Sequence, residues 1–133
     1  MRHPAQILVL AALLSCSPEQ KQDNPSAPQT SVEEQFRQKY PMHSVDGLTA
    51  LVGPAPFGDE TSVAQNAIQA SEHPCGKVRK AVRNEVDGSV TVRCSNGERF
   101  NIITIETIAD PVVMRCSAIE ELIHKKLETC HSL

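Results

Sequence analysis

"KVRKAVRNEVDGSVTVRCSNGERFNIITI", residues 77 to 105, is the stretch whose reading decides the fold. Val90, Val92 and Cys94 alternate with Thr91 and Arg93, and Phe100 and Ile102 alternate with Asn101, which is the period of half-buried strands. The turn between them sets the register. A two-residue Asn96-Gly97 turn would place Val92 opposite Asn101. A three-residue loop, Ser95-Asn96-Gly97 with Gly97 left-handed, pairs Cys94 with Glu98, Val92 with Phe100 and Val90 with Ile102. A one-residue slip turns a whole apolar set to solvent, so the three-residue loop is expected. The same argument at Asp87-Gly88-Ser89 sets Val86 opposite Val90 and Val82 opposite Cys94. The expectation is a three-stranded antiparallel sheet with Lys77 to Val82 as one outer strand.

Helices are expected on either side of this sheet. "VEEQFRQKY", residues 32 to 40, places Val32, Phe36 and Tyr40 on one side until Pro41 ends it. "TSVAQNAIQASEH", residues 61 to 73, has Thr61 or Ser62 as a cap. Val63, Ala67 and Ala70, joined by Ala64 and Ile68, form its apolar stripe, the pattern of helix-to-sheet packing. "SAIEELIHKKLETC", residues 117 to 130, has the Ser117/Glu120 spacing of a capping box and an apolar stripe of Ile119, Leu122, Ile123 and Leu127. Lys125 and Lys126 lie toward its C-terminal half, where cations suit the helix dipole. Between the first two helices, Leu48 to Val52 reads as a strand or a packed loop. The fold class is α+β: a small three-stranded antiparallel sheet packed against two or three helices and held by two disulfides.

Those disulfides follow from the cysteine count once Cys16 is set aside. Cys75, Cys94, Cys116 and Cys130 are an even set without a CxxC pair, which in an exported chain implies two structural bonds rather than a zinc or redox motif. Cys75 precedes one strand and Cys94 ends the next, while Cys116 and Cys130 bracket a helix, so the pairs Cys75-Cys94 and Cys116-Cys130 are preferred. A Cys94-Cys116 pairing is physically possible too. Each bond should stabilise the domain by roughly 2–4 kcal/mol.

Cys16 belongs to a different part of the chain. Arg2, the apolar run Ile7 to Leu14 and the small Ser15 have the layout of a secretory signal peptide, and the run is too short to span a bilayer. Leu13-Leu14-Ser15-Cys16 resembles the lipobox of bacterial lipoproteins. That resemblance implies a diacylglyceryl group on the Cys16 sulfur, removal of residues 1 to 15, and acylation of the new amino terminus. Several acyl chains make a lasting anchor in the lipid bilayer. Ser17, in place of an aspartate, implies by the same resemblance the outer membrane on its periplasmic side. "SPEQKQDNPSAPQTS", residues 17 to 31, is polar and proline-bearing and reads as a disordered tether reaching about 50 Å. The organisation is thus a signal peptide at 1–15, a lipidated terminus and tether at 16–31, and a periplasmic α+β domain at 32–133.

Thirteen basic against sixteen acidic residues give no electropositive field, so nucleic acid is not an expected partner. The only aromatic residues are Phe36, Tyr40, Phe57 and Phe100, poor material for a stacking platform. No phosphate loop, HExxH or GxSxG elbow is present, no cofactor or metal is expected, and Cys75 beside His73 is consumed by its disulfide. A ligand carrier or small enzyme would need His124, Glu128 and the loop around His43 to converge. Lys77, Arg79, Arg83, Arg93 and Arg99 make the hairpin region basic, while Glu106, Asp110, Glu120, Glu121 and Glu128 make the C-terminal part acidic.

A non-enzymatic envelope module is therefore expected, with Lys77, Arg79, Arg93 and Arg99 as candidate partner-binding residues for an acidic protein or anionic envelope polymer. "VTVRCSNGERFNI", residues 90 to 102, resembles the Cys-Asx-Gly hairpin of periplasmic lysozyme-inhibitor lipoproteins at Cys94, Asn96 and Gly97. It is also similar to small exported bacterial domains of unassigned function. The first resemblance implies an inhibitor of a cell-wall lytic enzyme as an alternative function. Helices and a low aromatic content depart from that pattern, so neither its barrel nor its inhibitory residues are carried over.

Overall fold

The computed structural model describes residues 30–123 together with Cys130 and Leu133. The signal peptide, Cys16 and nearly all of the tether lie outside the described residues. So do Lys125, Lys126, Leu127 and Glu128 of the expected last helix, together with His124. The described elements run α1 (Val32–Lys39), β1 (Val52–Gly53), α2 (Glu60–Ala70), β2 (Val78–Arg83), β3 (Val90–Cys94), β4 (Arg99–Ile105), β5 (Ile108–Arg115) and α3 (Cys116–Ile123).

The class is α+β with three helices and two disulfides among the described residues, but the sheet has five strands and curls into a half-barrel, correcting the expected three. β4 is its centre. Ile102 pairs with Val90 of β3 and Val113 of β5, and Ile105 pairs with Val52 of β1 and Ile108 of β5. β5 therefore takes one edge of β4, while β3 and β1 follow one another along the other. The unexpected strand β5 contains Pro111, which normally argues against a strand. The register shift between Ile103 and Ile105 sets Ala109–Pro111 against Thr104, so the proline falls in a bulge on an edge strand, where its missing N–H is not needed. β1 is only two residues long, too short to show a period, and is held by the isolated bridge to His43.

The β3–β4 hairpin forms in the expected register, with Val92 opposite Phe100 and Val90 opposite Ile102. Cys94 N–H donates to Glu98 O at 2.9 Å, and Gly97 is left-handed at φ +88°. The β2–β3 register is different. Arg83 stands opposite Val90, Val82 opposite Thr91 and Ala81 opposite Val92. Asn84 causes the difference: its Oδ1 accepts from Val86 N–H at 2.8 Å, and its backbone N–H donates to Ser89 O at 2.8 Å. A longer turn closes at Asn84 and Ser89, with Ser89 N–H also bonded to Asp87 Oδ1. Val82 and Val86 are consequently 41% and 88% exposed. Gly88, left-handed at φ +71°, packs so closely that an added Cβ would lie 2.7 Å from both Tyr40 and Pro54.

The core lies between one sheet face and α2. Val63, Ala64, Ala67 and Ile68 of the helix meet Val90, Val92, Cys94, Phe100 and Ile102, with Val78, Ala81 and Val113 at its margin. Val90, Val92, Phe100 and Ile102 are fully buried, each contributing roughly 1.5–3 kcal/mol relative to exposure. The N-cap of α2 is Asp59 rather than Thr61 or Ser62. Its carboxylate accepts from both Ser62 N–H (2.9 Å) and Ser62 Oγ (3.0 Å), and a negative charge also suits the helix N-terminus. α3 follows β5 without a loop, so Ser117 lies inside its first turn rather than at a cap. Cys75–Cys94 ties the segment after α2 to the end of β3, and Cys116–Cys130 ties the start of α3 to the chain beyond it.

Candidate partner-binding face

Residues opposite one another in an antiparallel ladder share a face. Lys80 on β2 stands opposite Arg93 on β3, which stands opposite Arg99 on β4. Val92 and Phe100, their neighbours in sequence, point into the core under α2, so this row faces away from it. The register shift between Val78 and Lys80 leaves Arg79 as the extra residue of a bulge, so that Arg79 and Lys80 both stand against Arg93. Arg79, Lys80 and Arg93 are exposed and make no ion pair among the described residues. The next row on the same face, Val82, Thr91, Asn101 and Met114, carries no charge.

The structure thus brings together Arg79, Arg93 and Arg99 of the expected set and adds Lys80. Arg99 is partly buried and donates from Nη1 to Cys130 O at 3.3 Å, which anchors that end of the row beside the second disulfide. Lys77 belongs elsewhere. Its backbone N–H donates to Ser95 Oγ at 3.0 Å, and the residue lines a groove between α2 and the start of β2.

Arg83, expected on the same exposed face, points the other way. Its side chain is only 8% exposed, and its guanidinium donates to Gly88 O and Pro56 O at 2.8 Å, to Ala55 O at 3.2 Å and to Gly58 O at 3.3 Å. Burial pushes its pKa down, opposed by the charge of Glu60 at 3.9 Å. It also lies 4.8 Å from the Phe36 ring centroid, a cation–π contact. Arg83 is a fastener between the loop after β1 and the β2–β3 turn.

Three of the four aromatic residues meet beside that fastener without forming a stacked platform. Phe36 lies 5.1 Å from Tyr40 and 5.3 Å from Phe57, both edge-on, and with Met42 and Pro54 they line a cleft of about 410 Å³. The i, i+4 spacing of Phe36 and Tyr40 was the visible signal. The contribution of Phe57 depends on a loop path that no period announces. Over the Tyr40 ring Lys39 bonds Glu85 at 2.7 Å, which raises the lysine pKa and lowers that of the carboxylate.

His43 sits in the backbone bridge to Val52, and His73 packs 5.0 Å from the Phe100 ring with Nε2 3.2 Å from Val113 O. Cys75 is in its disulfide. His124 and Glu128 lie outside the described residues, and among the described residues no three side chains are grouped to hold a metal. A third recess, about 470 Å³, lies between the β3–β4 turn at Asn96–Arg99 and the residues Cys116, Ser117, Glu120 and Cys130. Comparison of the chain with protein-family models, with curated proteins and with solved structures finds no match.

Proposed function

We propose that the chain is a membrane-anchored bacterial envelope lipoprotein, acylated at Cys16 and placed in the outer membrane facing the periplasm. In this reading the 32–133 domain is a non-enzymatic module that docks an acidic protein partner on the Lys80-Arg93-Arg99 row. The observation that carries this is the cross-strand register of like charges. Cations directly opposite one another on a sheet repel, and Lys80 and Arg93 make no ion pair among the described residues to offset it. An acidic surface turns each of them into a steering and orienting contact. The fifteen-residue tether supports the same reading, because it gives the domain reach from the lipid.

A second reading, inhibition of a cell-wall lytic enzyme, uses the same face. Enzymes that cleave glycosidic bonds carry paired carboxylates in their clefts, to which a cationic row next to a disulfide-stiffened hairpin is complementary.

The test is affinity capture from crosslinked envelopes with three proteins: the native sequence, the Arg79→Glu/Lys80→Glu/Arg93→Glu triple variant, and Cys16→Ser. The triple variant should stay in the membrane fraction and lose one acidic partner; Cys16→Ser should move to the soluble fraction. Recovery of the same proteins with the triple variant removes the docking face. A Cys16→Ser protein that stays in the membrane pellet removes the anchor.

A further inference from the structure

Among the described residues β2 pairs only with β3, so its outer edge is open. The backbone groups it offers follow from the alternation of an antiparallel ladder. Asn84 N–H donates inward to Ser89 O, so Asn84, Val82 and Lys80 face β3 and Ala81 faces out. At the other end Cys94 N–H donates to Glu98 O across the sheet, which leaves its partner Val78 facing out as well.

Beside this edge runs a groove of about 730 Å³, with Gln65, Ile68 and Gln69 of α2 and Glu72 just beyond it on one side and Lys77 and Val78 on the other. A helix flanking an open strand edge leaves room for one extended chain. Such a chain bonds the outer backbone groups and lowers alternate side chains into the groove. We infer that the β2 edge and this groove receive an extended segment of a partner protein, added as a further strand, with acidic residues at every second position.

The acidic alternation comes from the two faces of the added strand. Side chains on the α2 side meet Ile68 and Val78 with the Gln65 and Gln69 amides above them. Those on the other side come level with Arg79 and Lys80. A second copy of this chain does not suit the edge, because two β2 strands side by side would set these cations against one another. Edge cations and a bulge are common guards against self-pairing, and here the same features leave an acidic strand as the matching occupant. The inference rests on the docking reading for the sign of the partner's charge and adds the mode of contact.

The experiment is an NMR titration of the ¹⁵N-labelled full chain with an octapeptide of alternating glutamate and valine, set against alternating lysine and valine. The glutamate peptide should bind saturably below about 1 mM and slow exchange of the Val78 and Ala81 amides, and the lysine peptide should bind more weakly. Ala81→Pro removes one outward N–H and leaves the β2–β3 ladder its bonds. It should weaken binding about fivefold to tenfold, the worth of one hydrogen bond, while Ala81→Ser stays within about twofold. Bound peptide without protection of Val78 and Ala81 overturns strand addition, and that readout does not depend on how well Ala81→Pro folds. A peptide that shifts only Arg93 and Arg99 leaves the docking face standing and removes the edge. No binding of the glutamate peptide at millimolar concentration also overturns the inference.

Discussion

Arg93→Glu should make the domain more stable while it abolishes docking. Arg93 stands directly opposite Lys80 on one side and Arg99 on the other, and reversal converts two repulsive pairs into two attractive ones. Directly opposed charged pairs are worth roughly 0.2–1 kcal/mol each way. Arg93 and Lys80 are exposed, so their pair belongs at the low end of that range. The Arg99 guanidinium already donates to Cys130 O, so its pair also gains less than the maximum. The sum is a stabilisation of about 1–2 kcal/mol at low salt, or about 5–10 °C in melting midpoint for a domain near 100 residues. Urea unfolding followed by circular dichroism measures it, with Arg93→Gln expected midway. Raising the salt to about 0.5 M shortens the screening length and should erase most of the gain. A variant less stable than the native chain at low salt, or a gain indifferent to salt, would refute the claim that this row is held in mutual repulsion.

Two further outcomes concern the frame that holds the row. Arg83→Met keeps the apolar stem but strips donors from four backbone carbonyls, two of them bonded at 2.8 Å, and should cost about 3–4 kcal/mol in urea unfolding. A loss under about 1 kcal/mol would show that the loop after β1 does not depend on the guanidinium. Acid should weaken the fold through Asp59 and Glu85. Hydrogen bonds from Ser62 hold the Asp59 carboxyl below its usual pKa, and the bond from Lys39 does the same for Glu85. Both contributions are present at neutral pH and are lost as pH falls through the depressed folded values, below about pH 4. Asp59→Asn keeps a capping oxygen without the charge and should flatten part of the acid limb in urea midpoints recorded between pH 7 and 3. An unchanged limb would refute the assignment.

Much of the fold was legible where a period and a turn agreed. In the β3–β4 hairpin, alternation from Val90 to Ile102 and the left-handed demand at Gly97 point to one register, and the chain adopts it. Both disulfides join the neighbours that local structure suggested. β1, whose Val52 ends the stretch read as a strand or a packed loop, and β5, which was not expected, lacked such agreement. β1 has two residues and no period, and β5 carries a proline whose harmlessness depends on a bulge defined only by its pairing with β4. The cap of α2 was misplaced because Asp59, Thr61 and Ser62 are all competent caps, and the choice among them depends on where the chain arrives from Gly58.

Two of the departures at the candidate site, at Arg83 and Lys80, have one physical origin. The expected β2–β3 register and the observed one differ by three residues, and an odd slip exchanges the two faces of a strand. In the expected register Val82 points inward and Arg83 outward. In the structure Val82 is outside with Lys80, while Ala81 and Arg83 take the inner positions opposite Val92 and Val90. One slip thus explains both the arginine wrongly placed on the exposed face and the lysine left off it. The slip itself comes from Asn84, whose side chain closes a longer turn than Asp87-Gly88-Ser89 alone would give. Two arginines that look alike in sequence acquire opposite roles by parity. Arg83 is held by four backbone carbonyls and fastens the loop after β1, whereas Arg93 is flanked by its own sign and makes no ion pair among the described residues.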